Sequence, residues 1–265
     1  MSLRSLLHTA GLFNMLTMSP FLLAGNSITD PLTALNTELW WKSDGWCNGF
    51  PFDSRWEGEA ISHSADGMAI TLSHAPNGED AFEFQSGELR SHDFYGYGCY
   101  EVEIKPIAEP GVISSFFLFA GPYDKPEDGN GKHNEIDIEF LGHNTSVMQV
   151  NYWSNHDSHA RSHEHLIYLD FDASQDFHRY GIKWTKDAIN WYVDGKLVHS
   201  VQSTGDDPTP SVTDSRLRIM ANVWATSHQI SNWAGEFSQD PATTVTAEYR
   251  NFRFVSDPTC AQGNE

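Results

Sequence analysis

The segment Glu135-Ile136-Asp137-Ile138-Glu139 constrains this chain more than any other. Carboxylates and large aliphatic residues alternate at a spacing of two, the side-chain period of a β-strand. In a strand, Glu135, Asp137 and Glu139 share one face, while Ile136, Ile138 and Phe140 share the other. Burial of the apolar face fixes the register and gathers the acids on the open face. Like charges side by side destabilise a strand and raise one another's pKa. An arrangement with that cost points to chemistry. The outer Cα atoms would lie roughly 13 Å apart, so inward-leaning glutamates leave a carboxyl gap of about 5–6 Å, close to the separation in retaining glycosidases. Taken alone, the pattern also suits a solvated strand face or a calcium site.

The rest of the chain reads as strand after strand. Segments 97–105, 112–120, 135–141, 147–153, 165–169, 177–184, 189–193, 196–201, 216–224 and 244–255 are rich in Val, Ile, Phe, Tyr and Trp. Asp194-Gly195, between Trp191-Tyr192-Val193 and Leu197-Val198, is a two-residue hairpin signal. No long stretch carries apolar residues at helical period, and there is no internal repeat. Segment 122–131, with Pro, Asp and Gly, reads as a loop entering the acidic strand. The fold class expected is all-β: two packed antiparallel sheets forming a jelly-roll β-sandwich. A chain of 265 residues suits one such domain.

Residues 1–26 read as a signal peptide, leaving 27–265 as the domain. Arg4 supplies the charge, a mostly apolar run follows from Leu6 to Leu23, and Ala24, Gly25 and Ser27 are small cleavage-site residues. The expectation is a secreted or periplasmic protein, with a retained lipid or membrane anchor as the alternative. The formal net charge of −20 argues against nucleic acid and anionic membranes as partners. A neutral polysaccharide meets no such objection. The charge also serves solubility.

The stretch His133-Asn134-Glu135-Ile136-Asp137-Ile138-Glu139-Phe140-Leu141-Gly142 resembles the active-site strand of glycoside hydrolase family 16, in the form found in bacterial lichenases. Further similar segments are Tyr95-Gly96-Tyr97-Gly98-Cys99-Tyr100-Glu101-Val102 and Gly111-Val112-Ile113-Ser114-Ser115-Phe116-Phe117. Trp191-Tyr192-Val193-Asp194-Gly195 and Met220-Ala221-Asn222-Val223-Trp224 follow in order. The likeness runs over residues 41–254. It implies a concave sheet forming the substrate cleft, Glu135 as nucleophile, Glu139 as acid/base and Asp137 as the assisting acid between them. It further implies substrate contacts from Asn48, Glu88, Arg90, Phe117, Asn151, Trp153, Asn222, Trp224 and Trp233. Arg90 has the alternative of pairing with Glu88 or with a catalytic acid.

The chain departs from the family pattern at several places. His133 stands where a Trp is usual, Trp153 stands where a Tyr is usual, and loop 125–132 is longer than in compact lichenases. The lichenase disulfide positions fall on Ser54 and Ser86, so that bridge is expected to be absent. With Cys47, Cys99 and Cys260 an odd set, Cys47 with Cys260 is the expected replacement pair. The lichenase calcium carboxylate falls on Arg250. His156, His159, His163 and His165 have no carboxylate or Cys at a known ligand spacing and read as a solvated loop. No metal and no cofactor are therefore expected.

The resulting expectation is a secreted, monomeric, retaining endo-β-glucanase acting on β-1,4 bonds of mixed β-1,3-1,4-glucan. A related glycanase acting on a succinoglycan-like exopolysaccharide or β-1,3-glucan is the neighbouring alternative. A noncatalytic jelly-roll lectin is the alternative from another class, and the intact acid trio argues against it.

Overall fold

The computed structural model describes residues 27–75, 82–124, 129–157, 162–238 and 240–256. The expected signal peptide and Cys260 lie outside the described residues. Short strands come first: β1 (Ser27–Asp30), β2 (Trp40–Lys42), β3 (Trp46–Cys47), β4 (Ser54–Trp56) and β5 (Ile61–Ser64). Then come β6 (Gly67–His74), β7 (Phe84–Ser86), β8 (Glu88–Ser91), β9 (Gly98–Lys105), β10 (Val112–Ala120), β11 (Asn134–Leu141) and β12 (Val147–Trp153). The last are β13 (His165–Tyr168), β14 (His178–Trp184), β15 (Ala188–Val193), β16 (Lys196–Gln202), β17 (Arg218–Ala225) and β18 (Thr244–Val255). The one α-helix among the described residues is a single turn, α1 (Ser231–Ala234).

These strands form two sheets, as the alternation patterns require. The sheet that matters for the site has the order β13-β12-β11-β10-β17-β8-β2. The other runs β16-β15-β14-β9-β18-β6-β7-β4-β3, with β1 added on β18 and β5 on β6. Neighbours are antiparallel except β4 and β7. The expected strands from residue 97 onward are all present. Eight further strands precede them, mostly of two to four residues.

Burial fixes the register of the acidic strand. Ile136, Ile138 and Phe140 are fully buried between the sheets. Trp191, on β15 of the opposite sheet, donates its indole N–H to the Asp137 carbonyl at 2.9 Å. The core thus grips the back of β11 and leaves the acids on the outer face of their sheet. At the β15–β16 turn, Asp194 and Gly195 both have positive φ, 49° and 77°, the conformation such a two-residue hairpin needs.

The cysteine pairing expected from the sequence is corrected. Cys47 carries a free thiol, whereas Cys99 is disulfide-bonded. The reason lies in strand order: β18, the last strand, pairs with β9 and sets Val255 opposite Cys99. The chain therefore leaves the sheet beside Cys99, while Cys47 sits at the far end of that sheet on β3. Ser54 and Ser86 are both buried; Ser54 Oγ accepts the Ala225 N–H at 2.8 Å and Ser86 Oγ donates to the Thr71 carbonyl at 3.3 Å.

Arg250, at the position of the family's calcium carboxylate, donates from Nε to Glu103 at 2.6 Å and stacks over Phe177. The histidines of the 156–165 run face different neighbours. His163 pairs with Asp207 at 2.9 Å and stacks on Tyr152, His165 stacks on His199, and His156 Nδ1 accepts the His133 backbone N–H. His159 lies outside the described residues.

Candidate active site

Register across the seven-stranded sheet turns strand alternation into rows of side chains. Glu135 lies opposite Trp153 on β12 and Phe119 on β10. Asp137 lies opposite Asn151 and Phe117, and the row continues through Met220 to Arg90 and Trp41. Glu139 lies opposite Gln149 and Ser115, and its row continues through Asn222 to Glu88. Directly paired residues share a face, so one surface collects all three acids and their polar neighbours. A cleft of about 850 Å³ opens there, with Trp41, Trp46 and Phe52 among its aromatic walls.

The acids are held individually. His133 Nε2 lies 2.5 Å from Glu135 Oε2, and its ring is stacked on Trp153 and tilted against Phe119. Asp137 is hydrogen-bonded to Glu135. Gln149 donates from Nε2 to Glu139 at 3.0 Å, while the indole N–H of Trp233 donates to Gln149 Oε1 at 3.2 Å.

Crowding and burial drive the titration of this group. Burial, then the charges of Glu135 and Glu139, hold the Asp137 carboxyl well above the usual range. Burial and the Glu135 charge push Glu139 up to about 8, against an opposing contribution from the Gln149 hydrogen bond. For His133, burial opposes protonation, but its hydrogen bond to Glu135 and the charges of Glu135 and Asp157 prevail and raise its pKa. A protonated Asp137 donates to Glu135, and a protonated Glu139 keeps a proton to deliver. This split between neighbouring carboxyl groups is what acid and nucleophile roles require.

Farther along the cleft, Glu88 is buried at 1% exposure and satisfied by Ser43 Oγ at 2.7 Å and Asn222 Nδ2 at 3.1 Å. Burial raises its pKa, with Arg90 and both hydrogen bonds acting against the rise. Asn222 also accepts from Ser115 Oγ. Arg90 lies 3.7 Å from Glu88 and 3.0 Å from Asp124, and its guanidinium faces the Trp41 ring at 5.1 Å. Asp124 is clamped from its other side by Arg218 at 2.8 Å. Arg90 is thus ion-paired to Asp124 and close to Glu88, and it also lines the cleft.

Of the substrate contacts expected from the sequence, Asn48, Glu88, Arg90, Phe117, Asn222 and Trp224 line the cleft with Glu135, Asp137 and Glu139. Asn48 accepts the Trp56 indole N–H at 3.2 Å. The other three stand outside the lining. Asn151 is buried and accepts the His163 backbone N–H at 3.1 Å, Trp153 supports His133, and Trp233 lies beyond Gln149. Ser115, Phe119, Gln149 and Asp124 were not singled out from the sequence. The first three continue the period-two series of Phe117 and Asn151 on β10 and β12, so strand alternation carried a signal for them. Asp124 lies in a loop and had none.

The family model of Glycosyl hydrolases family 16 matches residues 48–250. A β-glucanase of Paenibacillus polymyxa is 37% identical over 235 residues, covering 88% of this chain and 90% of that protein. The structure of Bacillus licheniformis β-glucanase superposes with a TM-score of 0.76 at 35% identity, covering 88% of this chain and 99% of that one. A prokaryotic β-1,3-1,4-glucanase (lichenase) derived from a mouse hindgut metagenome gives a TM-score of 0.75 at 32% identity, with coverages of 88% and 99%.

The raised carboxyl groups make stability depend on pH. Glu139 holds its proton up to about 8 in the fold and releases it from its ordinary 4.5 when unfolded. Its contribution is thus fully present below 4.5 and is lost as pH rises through about 8. Glu139→Gln, which cannot ionise, is expected to be more stable than the parent by on the order of 4 kcal/mol at pH 8, with the gap closing toward pH 4.5. Urea unfolding at several pH values checks this, and a gap that is constant with pH would refute it.

Proposed function

This chain belongs to family 16 of the glycosyl hydrolases, and we propose that it is an endo-β-glucanase cleaving β-1,4 bonds of mixed-linkage β-1,3-1,4-glucan with retention of configuration. The observation that carries this reading is the acid trio of β11, set side by side on one face of the strand in an open cleft. The β-glucanase names of the relatives, including one called a lichenase, support the substrate class.

Glu135 attacks the anomeric carbon, and Glu139 protonates the departing glycosidic oxygen. A glycosyl ester on Glu135 results, and the sugar on the leaving side is freed. Esterification removes the Glu135 charge, which adds to burial in raising the Glu139 pKa, and so lowers that pKa. Glu139 is then stable as a carboxylate and accepts a proton from the incoming water, which attacks the anomeric carbon and releases Glu135. Asp137 hydrogen-bonds Glu135 throughout and steadies its charge as the ester breaks. Asn48, Glu88, Arg90, Phe117, Asn222 and Trp224 bind the glucan on the side retained in the intermediate. The polysaccharide is the partner, and export through cleavage of residues 1–26 brings the enzyme to it.

Chemical rescue tests the assignment. Glu135→Ala is expected to lose nearly all hydrolysis, and added azide then enters from the vacated side to give an α-glycosyl azide. Glu139→Ala is expected to be slow on natural glucan yet far less impaired on an aryl glycoside with a good leaving group, and azide there gives the β product. NMR of the product anomers reads both, and the opposite pair of anomers would reverse the assignment. With the parent enzyme, barley β-glucan is expected to be cleaved faster than laminarin or carboxymethylcellulose. Strong laminarin cleavage with none on barley glucan would refute the linkage preference.

A further inference from the structure

Two side chains that depart from the family pattern meet each other in the structure. His133, where a Trp is usual, stacks on Trp153, where a Tyr is usual, with 5.8 Å between centroids and 23° between planes. Phe119 packs against the same imidazole at 5.5 Å and 49°. Register sets Trp153 and Phe119 on either side of Glu135. The two rings that hold the imidazole thus flank the carboxylate that it touches, with His133 Nε2 at 2.5 Å from Glu135 Oε2.

The backbone beneath the imidazole is fixed as well. His156 N–H donates to the His133 carbonyl at 3.0 Å, and His133 N–H donates to His156 Nδ1 at 3.1 Å. Asn155 and His156 reach this place with positive φ, 53° and 67°, which non-glycine residues adopt where their surroundings hold them. Asn155 is held by donating its N–H to Asn134 Oδ1 and its Nδ2 to Asp214 Oδ2, each at 3.0 Å. Packing alone does not account for His133, because its Nε2 is directed at a reacting carboxylate and not at backbone.

Two opposite demands fall on Glu135. It attacks as a carboxylate in the first step and departs as one in the second. A hydrogen-bond donor on its oxygen, above all a charged donor, opposes the attack and assists the departure. Burial opposes a charge on His133, yet its hydrogen bond to Glu135 and the charges of Glu135 and Asp157 prevail and favour the imidazolium.

We propose that His133 is a positioning residue for the second half of the reaction, holding Glu135 as a leaving group through the Nε2–Oε2 hydrogen bond. This rests on the assignment of Glu135 as nucleophile. As the bond between the anomeric carbon and Glu135 breaks, its electron pair returns to the carboxylate, where the His133 N–H is already in place. Water forms the new bond to carbon and gives its proton to Glu139, so the His133 proton stays on His133 throughout.

A 2-deoxy-2-fluoro β-oligoglucosyl fluoride separates the two halves. Its inactivation of the enzyme reports formation of the ester on Glu135, and recovery of activity with cellobiose as acceptor reports breakage of that ester. For His133→Phe, which keeps a ring against Trp153 and Phe119 but has no donor, recovery is expected to slow about tenfold while inactivation is undiminished. His133→Gln, which keeps a neutral N–H, is expected to fall between that variant and the parent. Equal slowing of both rates in His133→Phe, as a merely structural residue would give, would overturn the role. So would recovery at the parent rate. A second measurement needs no active variant. The ester removes the Glu135 charge that His133 faces, so the His133 midpoint read by ¹⁵N NMR in the parent should drop once the fluoroglycosyl ester has formed. An unmoved midpoint would overturn the pairing even if His133→Phe did not fold. Peptide mass spectrometry of the inactivated parent keeps the premise separate. Label on a residue other than Glu135 would remove the nucleophile assignment and this role with it, whereas label on Glu135 leaves the two rates to report on His133 alone.

Discussion

The rest of this structure depends on an electrostatic conflict that the core enforces. Three carboxyl groups occupy successive outward positions of β11 because Ile136, Ile138 and Phe140 are locked between the sheets. Slipping the strand by one residue would relieve the acids only by exporting the buried set and importing carboxylates into the core. The Trp191 indole, bonded to the Asp137 carbonyl, adds a tie from the opposite sheet. The acids thus cannot separate, and the system responds by holding protons instead. Asp137 and Glu139 both sit above their ordinary pKa values, and Glu135 is flanked by Asp137 and His133 as hydrogen-bond partners.

A second layer of buried polar groups shapes the cleft without joining the acid centre. Glu88 is enclosed yet satisfied by Ser43 and Asn222, with Arg90 near it. Arg90 and Arg218 close on Asp124 from two sides, which fastens the loop after β10 over the sheet. A buried network of this kind is costly when one partner is missing and orders its surroundings when complete. Here it fixes one wall of the cleft, while Gln149 and Trp233 support Glu139 from the opposite side.

The acid face, the strands after residue 97 and the Asp194-Gly195 turn were legible because each is encoded locally, by alternation or by turn chemistry. Most strands before that point are short, and β8 hides its nature because Glu88 and Arg90 place charged residues at fully covered positions. Contacts made across long separations were not legible from local pattern. Glu88 meets Asn222 across 134 positions, and the Asp124 clamp joins a loop to strands on both sides of it in the chain. The cysteine expectation failed for the same reason: the pairing of β18 with β9, which sets Val255 opposite Cys99, joins segments far apart in the chain. Gln149, Leu166 and Tyr168 are an intermediate case, since alternation assigns their face but register with β11 is needed to bring them beside Glu139.

The central claim is that enforced proximity sets the protonation of this site, and the Glu139 carboxyl carbon reports it directly. In protein labelled with ¹³C at glutamate carboxyl groups, the resonance assigned to Glu139 by its loss in Glu139→Gln is expected to titrate with a midpoint of about 8. Repeating the titration in Glu135→Gln, which removes the neighbouring charge, should move that midpoint down. A Glu139 midpoint in the ordinary range near 4.5, or one indifferent to Glu135→Gln, would contradict the account.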